Sequence, residues 1–150
     1  MSTRATAITV GLALYIALVL VFYGLHRFAF GGDGGPYPLW YSVGELVFNA
    51  AKAVVPGLAI GWLYRTRALR IGAAVGAVGG VIEVVLLGAL TGVPFAEFPG
   101  RMAVATIFTA VTSAFTNAVG AAAGEFLRRD AKPSNPTFER DAPQAARPSP

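Results

Sequence analysis

The sequence predicts an all-α polytopic membrane protein: four transmembrane helices in an up-down antiparallel bundle, then a disordered C-terminal tail. Three observations predict it. With 55% hydrophobic and 13% charged residues and a mean hydropathy of +0.58, the chain is too apolar for a soluble domain of its length. Its charges cluster, leaving uncharged runs at Ala5 to Leu25, Val54 to Leu63, Ile71 to Ile82, Val84 to Phe95 and Met102 to Gly124. Finally, Trp40 and Tyr41 stand ahead of Trp62 and Tyr64 by about 22 residues. At ~1.5 Å per helical residue that is roughly 33 Å, close to the thickness of a bilayer core with an aromatic belt at each face.

The first span is expected at about 5–28. Its apolar run exceeds the ~7–15 residues of a secretion-signal core, and His26-Arg27-Phe28 follows where a small-residue cleavage site would stand, so it reads as a retained anchor. Glycines and a proline at Gly31 to Pro36 then break the chain. The second span covers about 39–64, the short link Arg65 to Ala68 follows, and the third span covers about 69–90. A further turn, from Gly92-Val93-Pro94 through Phe98-Pro99-Gly100, leads to the fourth span at about 100–127. Residues 1–127 thus form one bundle, and 128–150, which hold five of the ten prolines, read as a disordered cytoplasmic tail.

Basic residues near a span resist translocation, so their placement gives the orientation. Arg4, Arg65, Arg67, Arg70, Arg128, Arg129, Lys132, Arg140 and Arg147 fall on one side, against Arg27 and Arg101 on the other. Both termini are therefore expected in the cytoplasm. The arginine, alanine and glycine bias suggests a GC-rich bacterial genome, hence a multi-pass protein of the bacterial inner membrane. The net charge of +4 reflects this topology, and without an aromatic-basic binding pattern no nucleic-acid partner is expected.

Helical wheels, at about 100° per residue, sort the polar residues into faces. In the second span Glu45, Asn49, Lys52 and Pro56 form one stripe. In the third, Gly72, Gly76 and Gly80 make two G-x-x-x-G steps beside Glu83, while Val78, Val81 and Val85 look away. The fourth carries Thr106, Thr109, Ser113, Thr116, Asn117, Gly120 and Gly124 opposite Phe108, Phe115 and Phe126. Glycine lets backbones approach, so Gly57, Gly61, Gly72, Gly76, Gly80, Gly120 and Gly124 are the expected helix-packing residues. An internal echo, G-x-x-x-G followed four residues later by arginine, relates 57–65 to 120–128. Two spans that each need small packing residues and a cytoplasmic arginine would produce the same echo as a duplication.

Lys52 and Glu83 fall at one depth near mid-membrane, where a lone charge costs several kcal/mol, so they are expected to pair. Asn49, Thr109, Ser113 and Asn117 are candidates to line the same polar interior. Glu45 would lie nearer the outer face, within reach of His26 or Arg101. Pro56 frees a carbonyl near Lys52.

No cysteine and one histidine exclude a disulfide framework, thiolate metal sites and a thiol nucleophile, and no metal or cofactor is expected. Catalytic constellations and phosphate- or dinucleotide-binding fingerprints are absent from the sequence, so no catalytic residue is assigned. The first reading is a non-enzymatic membrane subunit or assembly factor with a buried polar clasp. Its expected partners are the lipid bilayer and another membrane protein or a second copy of itself. The alternative is a small proton- or cation-coupled transporter using an intramembrane glutamate, and the third is a lipid-active membrane enzyme.

Overall fold

A computed structural model describes residues 3–30, 39–64, 66–92 and 99–130. They form four α-helices: α1 (Thr3–Phe30), α2 (Leu39–Leu63), α3 (Ala68–Thr91) and α4 (Pro99–Asp130). Each is long and apolar enough to cross a membrane. The Gly31 to Pro36 turn, Arg65, most of the link before α4 and the side chains of Trp40 and Tyr41 lie outside the described residues. So does the tail beyond Asp130. Residues 128–130, read from the sequence as the start of the tail, are helical, because α4 runs to Asp130. Arg129 pairs with Glu125 one turn back at 2.5 Å, an i,i+4 contact that supports helix past the end of the apolar pattern. Pro99 opens α4, where its missing N–H leaves no helical bond unmade.

The close glycine contacts give the helix directions. Along α3, Gly72 lies against Asn117 and Ala121, Gly76 against Ser113, and Gly80 against Thr109 and Ala110. Numbers fall on α4 as they rise on α3, so the two are antiparallel. Between α2 and α4 they rise together: Gly57 meets Asn117, and Gly61 meets Ala121 and Glu125. In return, Gly120 and Gly124 rest on the Val54 and Leu58 carbonyls. Helix α1 runs alongside α3 in the same direction, with the Tyr15 ring on Gly79 and the Tyr23 hydroxyl donating to the Leu90 carbonyl at 3.1 Å. The chain therefore alternates in direction from helix to helix.

This packing is inverted relative to a soluble bundle. Backbone presses on backbone inside, while large apolar side chains such as Leu46, Val78, Val85, Phe108, Phe115 and Phe126 point outward and are exposed. Lipid tails supply no hydrophobic drive for helices to meet, so van der Waals contact and Cα–H···O approach must hold them. Glycine permits that approach. A methyl group added at Gly57, Gly61, Gly72, Gly76, Gly80, Gly120 or Gly124 would overlap the facing helix backbone. Ile60, Ala68, Ile71, Val75 and Ala121 form a small apolar core toward one end, and at that end Arg128 closes α2 by donating to the Trp62 carbonyl at 2.5 Å.

Candidate functional site

At mid-bundle the four helices meet on one carboxylate. Glu83 of α3 is 8% exposed, and each of its oxygens is engaged by a different helix. Lys52 of α2 donates to Oε1 at 2.5 Å. The Tyr15 hydroxyl of α1 donates to Oε2 at 2.6 Å. Ser113 Oγ of α4 lies 2.7 Å from the same hydroxyl. A phenol has one proton, and Tyr15 gives it to the carboxylate, so Ser113 must be the donor in the second bond. The result is a directed chain, Ser113 to Tyr15 to Glu83, closed from the other side by the Lys52 ammonium.

Local sequence explains why these groups converge. On α1 Ala7, Gly11, Tyr15 and Val19 are buried at four-residue spacing, the stripe that faces α2 and α3. Gly79, one turn before Glu83, leaves the hollow that the Tyr15 ring fills. Pro56 is fully buried in α2, and lacking an N–H it leaves the Lys52 carbonyl without its helical partner. Ser113 is brought to the seam because Gly76 admits the α4 backbone at that level. A charge at this depth is tolerated when paired and hydrogen-bonded. Glu83 meets both conditions.

One turn along α4, Asn117 is fully buried. Its amide donates to the Ser113 carbonyl at 3.0 Å, while its Oδ1 has no hydrogen-bond partner among the described residues. Thr109 is half-buried, with its carbonyl against Gly80. Thr106 and Thr116 bond back to carbonyls of their own helix, Met102 at 2.7 Å and Thr112 at 2.9 Å, and so need no partner across the bundle.

Two candidates for the buried set stand elsewhere. Glu45 and Asn49 are exposed. They do share a helical stripe with Lys52, but burial also requires a neighbour. The close glycine contacts of α2 with α4 begin only at Val54. From Ser42 to Ala50 every residue except Phe48 is exposed, and the Phe48 ring lies 5.5 Å from that of Phe22 on α1.

Tyr15 is the member that sequence reading missed. The first span reads as an anchor because it carries no charge and little asymmetry. A signal was present: Tyr15 sits at mid-span, far from the interfaces where tyrosine finds water, so its hydroxyl needs a protein partner. Gly11 four residues before it marks the same packed face.

The arrangement binds four helices around one ionic centre, with each carboxylate oxygen of Glu83 accepting from a side chain of another helix. Among the described residues there is no group of three or more His, Cys, Asp or Glu placed to hold a metal. Comparison with known proteins gives no matching family model, no matching curated protein and no matching solved structure.

Proposed function

We propose that this chain is a non-enzymatic integral membrane subunit or assembly factor of the bacterial inner membrane, with both termini in the cytoplasm. The observation that carries the reading is the way Glu83 ties helices together: each oxygen is held by a side chain from another helix, one of them in an ion pair, which suits a permanent clasp better than a site that must bind and release. The exposed half of α2 adds to it. Glu45 and Asn49 lie among exposed Val43, Leu46 and Val47, and polar groups at membrane depth seek partners on another helix. That face suits docking to another membrane protein or a second copy of this one.

The test is native mass spectrometry of the full chain extracted in gentle detergent. A stoichiometric assembly is expected, surviving in Lys52→Met/Glu83→Leu and weakened at least about tenfold in Glu45→Leu/Asn49→Leu, since interhelical polar contacts contribute ~1–2 kcal/mol each. A monomer indifferent to the α2 substitutions would overturn the reading.

A second reading, a small proton- or cation-coupled transporter, draws on one atom. The buried, unpartnered Asn117 Oδ1, one turn from Ser113, is an oxygen that a transient cation or a shifted proton network could use. On that reading Glu83→Gln keeps the fold and abolishes coupled flux in proteoliposomes, whereas a permanent clasp predicts no flux in the wild type.

A further inference from the structure

A second feature lies at the arginine-rich end, away from the clasp. Between the start of α1 and the start of α3 is a cavity of about 400 Å³, within the range of small-molecule pockets. One end carries Arg4, Arg67 and Arg70 together with Tyr64 and Thr66, and beyond them the lining is apolar, with Ile8 and Leu12 from α1 and Ala74 and Val78 from α3. Ile71 and Val75, both buried, close the floor. All three arginines are exposed, and none has a hydrogen-bonded or ion-paired side-chain partner among the described residues. Gly11 packs on Val75 and α1 runs parallel to α3, so Arg4 is level with the other two.

The dimensions bear on the occupant. From Arg4 to Leu12 the groove runs ~12 Å along α1, and from Arg67 to Val78 ~16 Å along α3. Half of a ~30 Å hydrocarbon core is ~15 Å, so the slot is one leaflet deep. A groove with cations at the membrane boundary and hydrocarbon-lined walls beneath them matches a molecule with a negative head and one extended acyl chain. Arg67 adds a detail: it precedes α3 with φ of 60°, a left-handed conformation unfavourable for a residue with a Cβ. Glycine would sit there without strain, yet the position places a guanidinium at the mouth.

We propose that this groove binds one anionic phospholipid, its phosphate held by Arg4, Arg67 and Arg70 and one acyl chain lying between α1 and α3. The proposal is independent of whether the chain is a subunit or a carrier.

The test is native mass spectrometry of the purified full chain titrated with phosphatidylglycerol, phosphatidylcholine or inorganic phosphate. One phosphatidylglycerol per chain is expected to persist under activation that strips phosphatidylcholine. Retention should fall about twenty-five-fold in Arg67→Gly/Arg70→Gln, two cations each contributing about fivefold. Arg67→Gly relieves backbone strain, so a loss there is not explained by misfolding. Ala74→Trp fills the slot with charge unchanged and should also release the lipid, while Arg129→Gln, outside the groove, should not. Equal retention of the two lipids, full retention in Ala74→Trp, or displacement of phosphatidylglycerol by inorganic phosphate would overturn the proposal.

Discussion

Substituting Gly76→Val is expected to destabilise the bundle by about 3 kcal/mol or more, the upper end of overpacking effects. Any Cβ at position 76 would overlap the Ser113 carbonyl and the Ala114 Cα. These are backbone atoms and cannot rotate aside, so α3 and α4 must separate along the seam that includes Gly72 and Gly80. Ser113 would then withdraw from Tyr15, and the clasp would loosen with the packing. Gly24 and Gly44 provide the contrast, because a Cβ at either meets nothing within 4 Å. Gly24→Ala and Gly44→Ala should be neutral, or stabilising by up to ~1 kcal/mol through helix propensity. Reversible unfolding in mixed micelles measures all three. Equal stability of Gly76→Val and the wild type would contradict the α3–α4 contact.

A double-substitution cycle on the clasp carries the second large effect. Glu83→Leu alone leaves the Lys52 ammonium unpaired and the Tyr15 hydroxyl with Ser113 as its one remaining partner, a loss of about 3–5 kcal/mol by analogy with broken buried pairs. Lys52→Met alone leaves Tyr15 on the carboxylate and should cost less. Combining the two substitutions removes both charges and should restore most of the stability, since apolar groups of similar volume commonly replace a buried ion pair without loss. A double variant as unstable as the sum of the singles would mean that the two residues do not interact.

The physics of membrane insertion made much of the fold legible in the sequence. Apolar runs of about bilayer length separated by glycine, proline and arginine left little choice of element, and the helix ends fall within three residues of those expected. Stripes of glycine on α2, α3 and α4 could be read because 3.6-residue periodicity puts them on one face, and lipid gives glycine no reason to gather there. The site was only half legible. Lys52 and Glu83 carry charges whose depth can be counted from the span ends, whereas Tyr15 carries none and lies in a helix that reads as uniformly apolar. Glu45 and Asn49 show the opposite failure. Periodicity gives direction around a helix but does not say where along it the neighbours stop, and on α2 the close glycine contacts with α4 begin only at Val54.

The central claim is that Lys52 and Glu83 form a contact pair inside the bundle, and solid-state NMR in lipid bilayers tests it most directly. The chain has two lysines, Lys52 and Lys132, so lysine-selective ¹⁵N labelling combined with ¹³C-glutamate gives a nearly site-specific experiment. A strong dipolar coupling between Lys52 Nζ and Glu83 Cδ is expected, corresponding to separation by no more than about 4 Å. No such coupling, with the Lys52 amine in free exchange with bulk water, would contradict the account.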